Sequence, residues 1–381
     1  MAVTAARTVT PTTAQEAAQV LHGASEAGQR VRIRGGGTRA DWGHVTPAPD
    51  VVLSTGGLTQ VLEHNEGDLT AILEAGVPLR LAQEQFAAAG QMLALDPPGT
   101  PEATVGGVFA TGDSGPLRHR YGAARDLIVG ITVALPDGSV AKAGGKVIKN
   151  VAGYDLAKLF TGAFGTLGLI VSLAVRLHPR PPQALTARGV FDDPVELAAA
   201  ASALAHRPLE AESLDLGWSS GRGAVLARFG GPTAERAATN ACAVMDEHGC
   251  EAEVVEDDAA LWQRQRERQR SADRSVVKVS ALPADLPDVL RAGDHLDATV
   301  VARAAIGLAW LAVPGGADAV QRLRADLRPA ACVLADAPEE VRAAVDPWDA
   351  ERADPLPLLH RVKERFDPDG ACNPGLYVGG I

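Results

Sequence analysis

Three consecutive glycines directly after a short apolar strand constrain this chain more than any other feature of its sequence. Gly35–Gly37 follow the segment Val31–Arg34 and precede Thr38 and Arg39. Because glycine has no Cβ, the backbone amides of such a loop can turn towards an anion and approach it closely. The flanking arginines add charge and forked hydrogen-bond donors. The pattern is typical of a plain turn or of a phosphate site, and only the rest of the chain distinguishes the two.

The spacing of Gly35, Gly37 and Ala40 matches the dinucleotide-binding fingerprint, but the chain that follows does not. That fingerprint needs a helix immediately after the turn, with its N-terminus facing the pyrophosphate. The stretch 41–49 contains one glycine and two prolines, which exclude a regular amphipathic helix. A P-loop is excluded as well, because Lys146 is followed by valine rather than serine or threonine. The loop therefore leads into irregular chain and is not a Rossmann turn.

Two further glycine-rich blocks occur at 96–115 and 149–168. In the first of them, Thr104 is a predicted helix N-cap, because its hydroxyl can accept a hydrogen bond from an amide of the first turn. Gly106 and Gly107 would then lie in that turn with their backbone amides bare and exposed. In the second block, an apolar i, i+3, i+4 spacing predicts one helical turn, which tight glycine-rich backbone follows.

The rest of the N-terminal half is predicted to alternate between helices and short strands. A capping box at 13–16 opens a helix that extends to about Ala27, and the turn at 136–138 joins the strands of a hairpin. The predicted strands lie near 30–34, 51–54, 70–74, 91–95, 128–135, 139–143 and 169–177, with a helix at 79–89.

The clearest linker is the proline-rich stretch 178–182, after which the composition changes. Alanine-rich helices at 193–205 and 233–248 flank strands within 213–229, which suits an α/β cap with an antiparallel sheet. The sequence therefore predicts an α+β fold. Its predicted parts are a first domain at 1–180, a cap at 181–350 and a C-terminal segment at 351–381 that returns to the first domain.

Composition and charge exclude several classes of protein. The chain has 381 residues, 46% of them hydrophobic, which is enough for two domains with sizeable cores. A net charge of −11 argues against nucleic acid and anionic membranes as partners. No apolar run reaches the length of a membrane span, and residues 1–10 lack the apolar stretch of a signal peptide. Cys242, Cys250, Cys332 and Cys372 form no C-x-x-C pair, so we expect reduced thiols in the cytoplasm and no iron–sulfur cluster in this chain.

Two charged stretches in the cap leave their role open. Seven acidic residues lie between Asp246 and Asp258, and five arginines lie between Leu261 and Arg274. Such stretches are typical of solvated helix faces, but docking of a partner subunit or binding of an anionic substrate would use the same charges.

Taken in order, the glycine-rich blocks resemble the FAD-binding domain of the PCMH-type flavoproteins of the vanillyl-alcohol oxidase superfamily, over roughly residues 10–180. The closing segment Phe366–Gly375 is similar to that of the glycolate oxidase and D-lactate dehydrogenase branch. The run Gly145–Asp155 is most similar to the second FAD-binding subunit of bacterial glycolate oxidase. The motifs in register are Thr104-Val105-Gly106-Gly107, Tyr121-Gly122, Leu135-Pro136-Asp137-Gly138 and Gly162-x-x-Gly165-Thr166-Leu167-Gly168.

The resemblance implies a domain of two α/β subdomains that binds FAD. Members with covalently bound flavin often carry a histidine just after the first glycine turn, where this chain has Thr38 and Arg39, so noncovalent FAD is expected. The residues that the resemblance assigns to FAD are Arg34, Gly35, Gly36, Gly37, Thr38, Arg39, Pro98, Gly99, Thr104, Gly106, Gly107, Thr111, Gly112, Gly162, Gly165, Thr166, Gly168 and Ile170.

The resemblance also implies oxidation of 2-hydroxy acids. Catalytic members hold a divalent metal with a His-x-His pair and an acidic residue in the cap. This cap has only isolated histidines, so no metal site is predicted and no catalytic residue is assigned. Arg118, Arg120 and Tyr121 are candidates to contact a substrate carboxylate, an FAD phosphate or a salt-bridge partner. Asn373 and Tyr377 are candidates to approach the flavin.

Three functions are compatible with the resemblance. The first is an FAD-binding subunit of a multisubunit glycolate dehydrogenase, which works with a catalytic flavin subunit and passes electrons to an iron–sulfur subunit. The second is a self-sufficient FAD-dependent 2-hydroxy-acid dehydrogenase of the D-lactate type. The third is a flavin-bound structural subunit without turnover. The missing His-x-His spacing favours the first and third. The expected location is the cytoplasm, with membrane association only through partners.

Overall fold

The computed structural model of the chain describes residues 6–99, 101–145, 155–350 and 355–381. In the described residues, a three-stranded sheet, a five-stranded sheet and a two-stranded sheet form the N-terminal part with their helices, and an eight-stranded sheet with helices forms the cap. The mixture of helices and antiparallel sheets confirms the predicted α+β class. No helix of the described part is both long and apolar enough to cross a bilayer. Most of the predicted motif at 145–155 lies outside the described residues.

The first subdomain is a small parallel sheet with one helix. Its elements are β1 (Arg7–Val9), α1 (Ala14–Glu26), β2 (Val31–Arg34) and β3 (Val51–Ser54). β3 lies between β1 and β2, and both pairings are parallel. The helix begins where predicted because Thr13 Oγ1 accepts the Glu16 amide while the Glu16 carboxylate accepts the Thr12 amide. Leu21 of α1 and Leu53 of β3 are fully buried between helix and sheet.

The second subdomain is built on an antiparallel sheet. Its strands are β4 (Val61–Asn65), β5 (Thr70–Glu74), β6 (Gln91–Met92), β7 (Ile128–Ala134), β8 (Val140–Gly144), β9 (Leu169–Arg176) and β10 (His178–Pro179). The sheet order is β4-β5-β9-β7-β8, while β6 and β10 pair with each other. Its helices are α2 (Leu79–Ala88), α3 (Val105–Thr111), α4 (Arg118–Tyr121), α5 (Ala124–Leu127) and α6 (Leu156–Phe160).

The predicted strand at 91–95 is shortened to β6, because a side chain replaces a neighbouring strand. Gln83 Nε2 donates to the carbonyls of Leu93 (2.6 Å) and Leu95 (3.1 Å), and Gln83 Oε1 accepts the Leu93 amide (3.2 Å). These bonds satisfy backbone groups that a sheet would otherwise have to pair. The sequence prediction also omits β4, which is an edge strand.

The cap is an eight-stranded antiparallel sheet covered by helices. Its strands are β11 (Ala184–Phe191), β12 (Ser213–Ser219), β13 (Arg222–Gly230), β14 (Ala252–Val255), β15 (Ser275–Ser280), β16 (Thr299–Arg303), β17 (Leu308–Val313) and β18 (Ala331–Asp336), in the order β14-β11-β13-β12-β16-β17-β15-β18. Its helices are α7 (Pro194–His206), α8 (Ala234–Asp246), α9 (Ala259–Glu267), α10 (Leu286–His295), α11 (Ala317–Asp326) and α12 (Glu339–Ala344).

The two faces of the cap sheet differ in what they contact. One face packs against α7, α8, α10 and α11 and forms the largest apolar core of the chain. The other face turns towards the first domain, where Arg303 Nε of β16 donates to the Gly115 carbonyl at 3.3 Å. α9 lies on this second face, because Gln265 Nε2 donates to the Leu216 carbonyl (2.8 Å) and Arg266 lies 3.8 Å from Asp96.

The C-terminal segment 355–381 packs on the first domain. It begins with α13 (Leu356–Phe366), and the chain after this helix runs beside β2. Val31 and Cys372 form a parallel bridge, and the Asn373 amide donates to the Val31 carbonyl at 2.9 Å. The contacts place Asn373 at the junction of the two N-terminal subdomains.

Candidate functional site

A cleft of about 300 Å³ between the two N-terminal sheets contains most of the predicted cofactor residues. The first glycine loop and β2 form one wall, while α3 and the start of β9 form the other. The predicted residues that line the cleft are Arg34, Gly35, Gly36, Gly37, Thr38, Arg39, Thr104, Gly106, Gly107, Thr111, Gly165, Gly168, Ile170 and Asn373.

Five predicted cofactor residues lie outside the cleft lining: Pro98, Gly99, Gly112, Gly162 and Thr166. Two of these glycines shape the backbone around α3. Gly112 ends that helix in the left-handed region with a φ of 64°, and the Gly162 amide donates to a carbonyl of the same helix at 3.0 Å. The assignment of the five residues to FAD stays a prediction.

The basic cluster on α4 connects the first domain to the cap. Arg120 Nη1 donates to the Glu210 carbonyl at 2.6 Å, and Tyr121 Oη donates to Glu212 Oε1 at 2.9 Å. Burial, followed by the charge of Glu212, raises the pKa of Tyr121, so its phenol remains a hydrogen-bond donor. Arg118, Arg120 and Tyr121 do not line the cleft, and their approach to a substrate or flavin stays a prediction.

The first glycine loop presents unused hydrogen-bond donors to the cleft. None of the five backbone amides of residues 35–39 donates to another described residue. Gly37 has a φ of 74°, a left-handed conformation that glycine adopts without strain. Gly36 is exposed and the other four residues are half-buried, so the amides are accessible to a ligand, and a run of such amides is typical of a site where an anion supplies the acceptor.

The second glycine pair differs from its prediction, because both amides are already bonded within the protein. The Gly106 amide donates to the Ala75 carbonyl (2.8 Å), and the Gly107 amide donates to Thr104 Oγ1 (3.2 Å). The expected bare amides are therefore wrong for this turn. A Cβ on Gly106 would lie 2.5 Å from Ala75 Cβ, whereas one on Gly107 would meet only Thr104 Oγ1, at 3.1 Å. Gly106 therefore allows close packing against Ala75, whereas Gly107 leaves the cleft wall without a side chain at that point.

Arg39 forms a buried ion pair with Asp113 and is not an exposed cation. Its side chain is 8% exposed, and its Nε donates to Asp113 Oδ2 at 2.9 Å. Its remaining donors go to the carbonyls of Thr38 (3.0 Å) and Pro98. Asp113 therefore neutralises the charge that the sequence places at Arg39.

Arg39→Met is expected to destabilise the fold by about 3 kcal/mol, because Asp113 would remain buried without its partner. The control is Arg30→Met, which breaks a half-exposed pair with Asp50 and is expected to cost less than about 1 kcal/mol. Urea unfolding of both variants measures the difference. Equal, small losses in the two variants would contradict a buried pair.

The cleft-lining residues that sequence reasoning missed include Arg32, Asp113 and Phe164. Arg32 Nη2 donates to Thr46 Oγ1, and burial lowers the pKa of its guanidinium. Arg32 and Arg34 alternate along β2, and neither forms an ion pair with any residue in the described ranges. The alternation of arginine with Val31 and Ile33 is a local signal that identifies the cleft-facing side of the strand. Phe164 has no such signal.

Asn373 joins the two sides of the cleft. Its Oδ1 accepts the Ile33 amide at 2.9 Å, and its Nδ2 donates to the Phe164 carbonyl at 2.6 Å. Phe164 in turn packs against Tyr377 and Trp348, at centroid distances of 5.4 Å and 4.9 Å. The closing segment therefore fixes one end of the cleft through a polar side chain and an aromatic cluster.

A second group of polar side chains is buried where the cap meets the first domain. Arg303 is fully buried and donates to the carbonyls of Ser114 (3.4 Å) and Gly115 (3.3 Å). Its guanidinium lies 4.2 Å from the ring centroid of Trp310. Arg303 Nη1 has no hydrogen bond among the described residues and is 4.0 Å from Asp215.

The buried group also includes the cations Lys278 and Arg118, which interact electrostatically with Arg303. Lys278 and Arg118 have no carboxylate within ion-pair distance in the described part of the chain. Burial, and then the charge of Arg118, lower the pKa of Lys278. Burial raises the pKa of Asp96 to about 7, against the opposing charge of Arg266, and burial also raises the pKa of Asp215. Within the described ranges, no three His, Cys, Asp or Glu side chains are arranged as a metal site.

Comparison with known sequences agrees with the geometry of the cleft. Residues 5–144 match the family model FAD_binding_4, described as "FAD binding domain". D-lactate dehydrogenase of Archaeoglobus fulgidus is 38% identical over 173 residues, which cover 45% of this chain and 38% of that protein. Glycolate oxidase subunit GlcE of Escherichia coli is 36% identical over 129 residues, 34% of this chain and 37% of that subunit. Glycolate oxidase subunit GlcD of Bacillus subtilis is 31% identical over 185 residues, 49% of this chain and 39% of that subunit.

The chain thus matches less than two fifths of the length of each of these relatives. Among solved structures, alkyldihydroxyacetonephosphate synthase covers 98% of this chain, with 76% of its own length matched, a TM-score of 0.73 and 16% identity, which shows a shared fold. Residues 5–144 thus form an FAD-binding domain, and the shared fold extends over almost the whole chain. The relatives that share this region are a D-lactate dehydrogenase and two subunits of glycolate oxidase. The predicted cofactor, FAD, is confirmed.

Proposed function

We propose that this chain binds FAD noncovalently in the cleft between its two N-terminal sheets. The backbone amides of residues 35–39, which donate to no described residue, suit the pyrophosphate, and so do the guanidiniums of Arg32 and Arg34, which form no ion pair within the described ranges. Thr38 and Arg39 stand where covalent members often carry a histidine, which supports noncovalent binding. When bound, FAD supplies the two-electron oxidation chemistry, while the protein supplies orientation and charge.

We further propose that the chain is the FAD-binding subunit of a glycolate oxidase or dehydrogenase complex, which takes part in the oxidation of glycolate to glyoxylate. The cations buried at the cap interface carry this proposal. Arg303 has an unused Nη1 donor, and Lys278 has no carboxylate partner in the described part. A small 2-hydroxy acid keeps its carboxylate throughout the loss of two electrons and two protons, so the same cations can hold substrate and product.

The partners belong to the proposal as well. A catalytic flavin subunit would share the substrate oxidation, and an iron–sulfur subunit would accept the electrons, since this chain has no C-x-x-C pair of its own. Similarity to GlcE and GlcD supports such a complex, which would be cytoplasmic or membrane-associated through partners. The second candidate function is a self-sufficient 2-hydroxy-acid dehydrogenase, which the buried cations also favour. The third is a flavin-bound structural subunit without turnover.

The purified chain is expected to be yellow and to release its flavin on acid precipitation. No covalent bond to a side chain is expected, so FAD should appear in the supernatant at one equivalent per chain. Flavin that stays with the washed precipitate would contradict noncovalent binding. A colourless, folded chain that takes up no added FAD would contradict the cofactor site itself.

The isolated chain is expected to oxidise glycolate or D-lactate poorly, and added divalent metal should not rescue it, because the cap lacks a His-x-His pair. Turnover should appear when the partner subunits are added. Reduction of the flavin is monitored as a loss of its visible absorbance. Brisk dye-linked turnover by the chain alone would favour the self-sufficient enzyme. A flavin that is never reduced by substrate, even in the complex, would favour the structural subunit.

Lys278→Met tests, in the same assay, whether the buried cations Arg303, Lys278 and Arg118 bind substrate or only stabilise the fold. Because Lys278 has no carboxylate partner among the described residues, its removal leaves no orphan charge. The variant should keep FAD and stability but raise the KM of the complex for glycolate. Lys142→Met, on the exposed strand β8, is the control. An unchanged KM in both variants would contradict substrate binding at this cluster.

A further inference from the structure

The cap contacts Trp42, which lies shortly after the first glycine loop in the chain. Trp42 Nε1 donates to Asp336 Oδ1 at the end of β18, at 2.8 Å. Two guanidiniums lie over the indole ring, with Arg39 at 5.2 Å and Arg270 at 5.5 Å from its centroid. One of these arginines belongs to the loop and the other follows α9 in the cap, so the ring is held from both domains.

Asp336 is the centre of these contacts. Its side chain is 3% exposed, and besides Trp42 it accepts hydrogen bonds from Arg270 Nε and from the Ser271 amide (3.3 Å). Arg270 Nη1 also donates to the Thr38 carbonyl, within the loop itself, at 3.3 Å. A buried carboxylate that accepts several charged or polar donors fixes the geometry of all of them.

The backbone transmits this geometry to the cofactor loop. The Trp42 amide donates to the Arg39 carbonyl, and the Ala40 amide donates to the Gly37 carbonyl, both at 3.2 Å. Two successive turns thus connect the indole to the segment whose amides face the cleft. A shift of Trp42 would move the carbonyls of these turns and redirect the free amides of residues 35–39.

We propose that Trp42, Arg270 and Asp336 form a tether that holds the first glycine loop in its FAD-binding shape, so that cap docking and FAD binding are thermodynamically coupled. The three are positioning residues, because none of them is among the residues that line the cleft. The proposal rests on the proposed FAD site at residues 35–39. Coupling is reciprocal: if the docked cap raises the affinity for FAD, then bound FAD stabilises the docked cap by the same factor.

The test uses the full chain and two conservative variants, Asp336→Asn and Trp42→Phe. The first removes the charge that Arg270 requires, and the second removes the Nε1 donor but keeps an aromatic ring. FAD affinity, measured by flavin fluorescence, is expected to fall about tenfold in each. Asp294→Asn is the matched control, because Asp294 accepts Trp218 Nε1 at 2.9 Å entirely within the cap. It should leave FAD affinity unchanged even where it lowers stability.

Hydrogen exchange provides the reciprocal measurement. In the wild-type chain, FAD should slow amide exchange in residues 268–274 and in β18, which lie in the cap, and this protection should be lost in Trp42→Phe. Wild-type FAD affinity in both tether variants, or no protection of the cap by FAD, would overturn the coupling while leaving the FAD site intact. A wild-type chain that binds no FAD would overturn the FAD site and the coupling together.

Discussion

Gly107→Val is expected to abolish FAD retention while leaving the chain folded. Gly107 lines the cleft, and a Cβ added there would meet only Thr104 Oγ1, at 3.1 Å. The two γ-methyl groups of valine would therefore extend into the cleft and occupy the space of the cofactor. The wall at this point is helix backbone, which cannot rotate aside. We expect affinity for FAD to fall by at least about 100-fold, which corresponds to about 3 kcal/mol of binding free energy.

Two measurements separate this effect from unfolding. Flavin fluorescence titration gives the affinity, and thermal unfolding with and without FAD gives the stability, because a ligand that binds only the folded chain raises its Tm. FAD should raise the Tm of the wild type and not that of Gly107→Val. Gly23→Val, on α1 with no atom within 4 Å of its added Cβ, controls for valine in a helix. Normal FAD binding by Gly107→Val would show that α3 does not touch the cofactor.

Substitution of the neighbouring Gly106 should have the opposite effect, a loss of stability with FAD binding retained. A Cβ on Gly106 would lie 2.5 Å from Ala75 Cβ and 2.8 Å from the Ala75 carbonyl oxygen. These atoms belong to the chain between β5 and α2 and cannot give way cheaply. Gly106→Ala should therefore cost about 1–3 kcal/mol of stability through overpacking, yet any folded fraction should still bind FAD. The pair of variants distinguishes a glycine needed for packing from one needed for the ligand.

These two glycines also show what the sequence predicts and what it omits. The N-cap at Thr104 and the helix after it follow from local chemistry and are present in the structure. The sequence treats Gly106 and Gly107 alike, because nothing nearby in the chain reveals that Ala75 approaches one and not the other. In the same way, the glycine run at 35–37 was recognisable from sequence, but the freedom of its amides depends on which acceptors the fold brings near it.

The residues that sequence reasoning missed depend on contacts between distant parts of the chain. Asp113 matters because Arg39, far from it in sequence, reaches it across the cleft. Nothing in the sequence around Arg303 distinguishes it from other strand residues, but the cap sheet directs its side chain towards the first domain. Local signals such as periodicity, capping and turns arise within a few residues, so they predict the elements well. Which polar side chains become buried together is decided by tertiary packing, for which a single sequence holds no local signal.

Lys363→Met is expected to loosen the closing segment and thereby weaken both the fold and the cofactor site. Lys363 is 9% exposed, and all three of its ammonium protons are used: Nζ donates to Asp367 (2.6 Å), to the Thr166 carbonyl (2.7 Å) and to the Cys372 carbonyl (2.9 Å). Removal of one partner from a buried pair leaves an uncompensated charge, here on Asp367, and costs about 3–5 kcal/mol. The amides of Ala371 and Cys372 also donate to Asp367 and offset part of this cost, so we expect a loss near 3 kcal/mol.

The consequence for FAD follows from the position of this pair in the chain. Lys363 binds the carbonyl of Cys372, the residue directly before Asn373, whose side chain joins Ile33 to Phe164 across the cleft. If the pair is broken, the segment that carries Asn373 should detach more often, and FAD affinity should fall together with stability. Urea unfolding and FAD titration of Lys363→Met are compared with Lys158→Met, which breaks an exposed pair with Asp155 and should cost less than about 0.5 kcal/mol. Loss of stability without loss of FAD affinity would show that Asn373 holds its place independently of the buried pair, and wild-type stability would contradict the pair itself.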